Sequence, residues 1–168
     1  DDGAQRLHRG VAVERAAARG HLVDDGAERE LVGLRFRLAA RGLVPVVACE
    51  LEFYFVEAKR ADNGMVRPAA SRVTGRTNDS PRVLGLAKLD EWASLLAEVD
   101  AACIAQGVPA GAATAEYGGA QFEVNLQHTD DVVRAADHAL MLRRIVKGVA
   151  VRHGLDATFM SKPFSDQS

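Results

Sequence analysis

The chain of 168 residues has only two cysteines, Cys49 and Cys103. That excludes a disulfide framework and a paired-cysteine metal motif, and makes a reducing cytoplasm the expected compartment. It also lacks an excess of either charge: 21 Lys and Arg against 23 Asp and Glu leave a net charge of −2. Without a basic footprint there is no electrostatic case for nucleic acid or an anionic membrane as partner. No apolar run approaches the roughly 20 residues of a membrane helix, and no secretory leader is legible at the Arg-rich start. Aromatic residues are scarce, at 5%. No internal repeat, P-loop, nucleophile elbow or dinucleotide-binding fingerprint is present. What the chain does have is 48% hydrophobic and 26% charged residues, the balance of a soluble domain with a core.

Residues 1–26 are rich in Ala, Arg and Gly with weak periodicity, and read as a loosely ordered lead-in with a helix around Val11 to Arg19. From Ala27 to Arg41 the pattern is helical, with Leu31, Leu34 and Leu38 on one stripe and Gly42 at the C-terminal cap. Residues 44–56 read as a strand. Val47, Cys49, Leu51, Phe53 and Phe55 share one face, and Ala48, Glu50, Glu52 and Tyr54 the other. Residues 57–87 form a long polar connection that can hold a short hairpin turning at Asn63-Gly64. A second helix is expected from Asp90, as N-cap, to Gln106, burying Trp92, Leu95, Leu96, Val99 and Cys103. A short strand at 112–117 and a clearer one at Gln121–His128 follow. In the latter, Phe122, Val124 and Leu126 face the core, and Gln121, Glu123, Asn125 and Gln127 face away. Thr129 is expected to cap a long helix to His153, ended by Gly154, and a last strand covers Ala157–Met160. Strands with one polar face each, mixed with helices, imply an α+β fold: an antiparallel sheet with one polar, carboxylate-lined face and helices on the other.

Glu50 and Glu52, two apart on a strand, emerge on one face about 7 Å apart along the backbone. Like charges this close repel unless a cation lies between them. Glu123 lies on the polar face of another strand, and Glu116 precedes it across the turn Tyr117-Gly118-Gly119-Ala120. If the strands share a sheet, the four carboxylates gather on one face. They then form an oxygen-only donor set suited to Mg²⁺ or Mn²⁺. The plain alternative is a solvated sheet face. His153 suits a helix C-terminus, Cys49 reads as core, and His128 at a strand end stays open.

Three segments carry a resemblance. Val47-Ala48-Cys49-Glu50-Leu51-Glu52-Phe53-Tyr54-Phe55 resembles the E-x-E-F strand of the glutamine synthetase family. Glu116-Tyr117-Gly118-Gly119-Ala120-Gln121-Phe122-Glu123-Val124-Asn125-Leu126 resembles its E-x-x-x-G-Q-x-E strand. Val149-Ala150 through His153-Gly154-Leu155, then Ala157-Thr158-Phe159-Met160-Ser161-Lys162-Pro163, resembles its A-x-x-H-G-x-x-A-T-F-M-x-K-P segment. The order is the family's, over residues 38–168, and residues 1–37 remain a poorly defined lead-in. Phe53-Tyr54-Phe55, Val73-Thr74-Gly75-Arg76 and the ending from Lys162 look nearest to the γ-glutamylpolyamine (putrescine) synthetase branch.

The resemblance implies an ATP-dependent ligase. It phosphorylates the γ-carboxylate of glutamate and lets ammonia or a polyamine displace phosphate, with Mg²⁺ or Mn²⁺ as cofactor, in a cytoplasmic homo-oligomer. By motif, Glu50 would bind the ion nearer the nucleotide, and Glu52, Glu116 and Glu123 the ion nearer glutamate. His128 would lie near the nucleotide, and no residue is assigned a catalytic role. Two departures stand out. The family's Gly-Gln is Ala120-Gln121 here, with glycines shifted to 118 and 119. The family's next motif, Gly-Ser-Gly-x-His, does not occur before Ser168. The expectation is therefore the N-terminal part of a glutamine synthetase catalytic domain, inactive alone and prone to self-association. The alternatives are a standalone noncatalytic relative that binds metal or a partner and, less compatible with three ordered motifs, an unrelated metal-dependent hydrolase.

Overall fold

The computed structural model describes residues 25–77 and 83–164. Of the lead-in expected over residues 1–26, residues 1–24, with the helix expected at Val11–Arg19, lie outside the described residues, and the last two open a helix. Helix α1 (Asp25–Ala39) comes first, then strand β1 (Glu50–Glu57), helix α2 (Leu86–Ala105), strands β2 (Ala110–Ala115) and β3 (Gln121–Leu126), helix α3 (Val132–Arg152) and strand β4 (Leu155–Thr158). The four strands form one antiparallel sheet in the order β2-β3-β1-β4. This is the α+β arrangement that the alternating strands imply.

One sheet face carries the core. Leu51, Phe53 and Phe55 of β1 and Phe122, Val124 and Leu126 of β3 are buried against Trp92, Leu95, Val99 and Cys103 of α2 and Leu142, Ile145, Val146 and Val149 of α3. The aromatic residues are few, but they are concentrated here. Phe55 stacks on Trp92 with ring centroids 5.4 Å apart, and Phe53, Phe122 and Phe159 surround them. A second, smaller cluster of Tyr54, Val56 and Phe164, with Val66 against it, covers part of the opposite face. Both helices therefore lie on the face away from the glutamates. Among the described residues, no helix is long and apolar enough to cross a membrane.

Several boundaries differ from those the sequence suggests. The strand expected over 44–56 narrows to β1 because Pro45 has no N–H to give to a ladder. Leu43, Val44 and Val46 stay exposed, and only Val47 makes a bridge, to Thr129. With its backbone in that bridge, Thr129 does not cap α3. Asp131 does, its Oδ1 accepting from the N–H groups of Val133 (2.9 Å) and Arg134 (3.3 Å). Helix α2 starts at Leu86 behind Gly85, so Asp90 lies inside it and is not its cap. The run Leu86-Ala87-Lys88-Leu89 consists of good helix formers, which carry the helix back to the glycine. Strand β2 lies two residues earlier than expected, so Glu116 falls in the turn beyond it, and β4 likewise precedes 157–160. The turn at Asn63-Gly64 is present: Gly64 has φ +81° and Asn63 Oδ1 accepts from Met65 N–H. Its return arm touches β1 through the Val56–Pro68 bridge without becoming a regular strand.

Candidate metal centre

The sheet register builds the site. Across the β1–β3 ladder, Glu50 faces Asn125, Glu52 faces Glu123 and Tyr54 faces Gln121. Directly opposite strand partners have Cβ atoms roughly 4.5–5.5 Å apart, and like charges there are destabilising. Glu116 continues β2 by one step, its N–H donating to the carbonyl of Gln121 at 3.0 Å. That position puts it diagonally beside Glu123. Glu52, Glu116 and Glu123 thus share one corner of the face, and Glu50 stands one row away and exposed.

Electrostatics reflect this crowding. The Glu116 carboxyl is held above its ordinary pKa, first by burial, then by the charges of Glu123 and Glu52 and a hydrogen bond with Glu123, against a lowering influence from Lys88. Burial, then the charges of Glu52 and Glu116, raise the Tyr54 phenol, against a lowering influence from the Gln121 side chain. Tyr54 is only 1% exposed, and among the described residues its hydroxyl has no partner in good hydrogen-bond geometry, although the Gln121 side chain lies near enough to act on it.

Gln121 organises the corner. It is 4% exposed. Its Oε1 accepts from Gly118 N–H at 2.7 Å, and its Nε2 donates to Glu52 Oε2 at 3.0 Å. Gly118 packs so closely that a Cβ there would lie 2.6 Å from Tyr54 Cε1 and 2.9 Å from Gln121 Oε1. Ala120 adopts φ +51°, a left-handed conformation that glycine takes at least cost. The chain thus keeps the turn that the shifted glycines put in question, at the expense of strain at Ala120.

The donor chemistry fits a hard divalent cation. It is all oxygen and carries a local excess of negative charge, which helps raise the Glu116 pKa where no cation balances it. The side chains as they stand do not close on one point: among the described residues, no group of three His, Cys, Asp or Glu side chains reaches metal-holding geometry. His128 is exposed beyond the end of β3, five residues past Glu123. His153 is away from the corner, with its Nε2 2.7 Å from Glu98 Oε1.

The periodicity of the strands puts Tyr54 and Gln121 on the glutamate face but does not reveal that both are buried there, and it gives no sign of Lys88. Lys88 falls just before the helix expected from Asp90, yet it lies in the first turn of α2, is 4% exposed and reaches the carbonyls of Glu116 and Gly118. No local pattern signals that contact, which spans about 30 residues of chain. Gln121 carries two sequence signals, its place on the polar face of its strand and its place in the quoted Gly-Gln motif, but neither shows its two hydrogen bonds.

Residues 33–168 match the glutamine synthetase catalytic domain family. The chain belongs to that family. It is 40% identical over 132 residues to gamma-glutamylputrescine synthetase of Escherichia coli (strain K12), covering 79% of this chain and 28% of that protein. It is 37% identical over 75 residues to the gamma-glutamylpolyamine synthetase of Streptomyces coelicolor (strain ATCC BAA-471 / A3(2) / M145), covering 45% of this chain and 16% of that one. The fold superposes on a GmaS–ADP complex with a TM-score of 0.67 at 26% identity, over 82% of this chain and 30% of the other. The chain therefore spans under a third of the length of these relatives. The names of the two synthetases agree with the likeness to the polyamine branch seen in the sequence.

Proposed function

We propose that this chain forms the carboxylate-bearing part of an ATP-dependent ligase joining the γ-carboxylate of glutamate to an amine through a γ-glutamyl phosphate. The observation that carries this is the meeting of Glu52, Glu116 and Glu123 on one face of a glutamine synthetase-type sheet. The names of the two amine-ligating relatives favour putrescine or another polyamine as the amine, with ammonia as the family's alternative.

Glu52, Glu116 and Glu123 would hold a Mg²⁺ or Mn²⁺ ion nearer glutamate, and Glu50 an ion nearer the nucleotide, with His128 on the nucleotide side. Such ions neutralise the charge of a transferring phosphoryl group. The chain's own residues prepare the corner. Gln121 fixes the Glu52 carboxylate and the turn at Gly118. Tyr54 and Phe164, edge to face at 5.5 Å, close one side of the corner with apolar rings. On that side the lower dielectric strengthens charge interactions, while Glu52 stays exposed to solvent. The active assembly is a cytoplasmic homo-oligomer, as in the family.

Equilibrium dialysis with ATP tests the nucleotide side. Metal-dependent ATP binding that Glu50→Gln weakens is expected. ATP binding indifferent to both metal and that substitution counts against the assignment. Metal binding with no ATP binding at all would favour a noncatalytic, metal-binding relative.

A further inference from the structure

Lys88 sits where a lysine has little reason to be. It lies in the first turn of α2, where a cation opposes the helix dipole. It is also almost wholly buried, a costly place for a charge without partners. Its partners are specific. The Nζ donates to the carbonyl of Glu116 at 2.6 Å and to that of Gly118, and lies 5.7 Å from the centre of the Phe122 ring. Both carbonyls belong to the turn that carries the Glu116 carboxylate into the corner, and Gly118 is the residue whose N–H the Gln121 side chain holds. The turn is gripped from two sides: Gln121 takes an N–H, and Lys88 takes two carbonyls. Lys88 also ties the turn to α2, an element of the opposite sheet face.

We infer that Lys88 is a positioning residue for the metal centre, holding the 116–118 backbone so that the Glu116 carboxylate stays beside Glu123 and Glu52. This rests on the metal-binding role proposed for those glutamates. Partners behind metal ligands affect affinity strongly, with losses of roughly 10- to 100-fold when they are removed.

The sign of the effect separates positioning from charge. Lys88 adds positive charge near a cation site. If charge were its only influence, neutralising it would tighten cation binding. If it positions Glu116, neutralising it loosens binding despite the lost repulsion. The experiment is a Mn²⁺ titration followed by electron paramagnetic resonance on the parent chain and on Lys88→Met, at a temperature where circular dichroism shows both folded. Binding about tenfold weaker in Lys88→Met is expected. Affinity equal to or tighter than the parent's overturns the inference. Lys88→Arg, which keeps charge and donors, is expected to recover most of the loss, and a failure to do so also counts against it. If Lys88→Met does not fold, Lys88→Gln decides, since it drops the charge and is too short to span both carbonyls. Weaker binding than the parent supports the inference, and tighter binding overturns it. A parent chain that binds no Mn²⁺ overturns the metal centre itself, a result distinct from either outcome at Lys88.

Discussion

Glu116 shows how the corner sets local stability against binding. Its folded-state pKa lies above the ordinary value because burial and two neighbouring carboxylates disfavour its charge. The folded chain therefore holds that proton more tightly than the unfolded chain. The group favours the fold at low pH, and this contribution is lost as the pH rises through the raised value. Glu116→Gln removes a carboxylate whose charge burial and its neighbours Glu123 and Glu52 disfavour, only partly offset by Lys88. In metal-free buffer near neutral pH it is expected to raise the thermal midpoint, while in Mn²⁺ it forfeits the ion's stabilisation. Differential scanning calorimetry with and without metal reads both, and a midpoint lowered in the metal-free chain would contradict this electrostatic picture. Two turn residues give a steric test. Gly118→Ala pushes a methyl against Tyr54, and overpacking of this kind costs about 1–3 kcal/mol. Ala120→Gly relieves a left-handed conformation worth about 1–2 kcal/mol and loses a buried methyl worth about 0.8 kcal/mol. Urea unfolding is therefore expected to show a clear loss for the first and a change of no more than about 1 kcal/mol for the second.

Among the elements, α3 is held at its start by Asp131, whose pKa is lowered by the N–H groups of Arg134 and Val133 that its side chain accepts. A depressed carboxyl stabilises the fold above its unfolded-state value, and that stability is lost as the pH falls through the depressed one. Asp131→Ala is thus expected to lower the thermal midpoint at pH 7 and to leave a gap from the parent that narrows in acid. A gap independent of pH would contradict the capping role. The same helix shows what the sequence could and could not reveal. The alternation of Phe122, Val124 and Leu126 against Gln121, Glu123 and Asn125 was enough to assign β3 and its polar face, because side chains on a strand alternate whatever the tertiary setting. The capping residue was not, because Thr129 and Asp131 both suit an N-cap and the choice depends on a bridge to Val47 far away in sequence. Tyr54 fails in the same way. Period-two order puts it correctly on the glutamate side, yet only the packing of Phe164 and Gly118 buries it. Lys88 was hidden for a related reason, since its partners are 28 and 30 residues along the chain.

For the whole molecule, average composition hides local concentration. Nine aromatic residues are few for 168, but Phe53, Tyr54, Phe55, Trp92, Phe122, Phe159 and Phe164 are all buried around the sheet. A net charge of −2 likewise conceals an acidic corner. Membership of the glutamine synthetase family fits both facts, because the chemistry proposed here needs a rigid sheet beneath a concentrated carboxylate face. The chain covers 28% of the Escherichia coli relative, and its glutamates account for only part of the groups such a reaction uses. By itself it is expected to release no phosphate from ATP in response to glutamate and putrescine. Release that Glu123→Gln abolishes would show a self-sufficient enzyme instead. The metal centre is the claim on which the rest depends, and titration of Mn²⁺ into the chain and into Glu52→Gln and Glu123→Gln tests it directly. Saturable binding by the parent, weakened at least about tenfold by either substitution, is the result predicted for direct ligands, whose removal should cost no less than removal of the partners behind them. Equal affinity in all three proteins, or no binding in the parent, would contradict it.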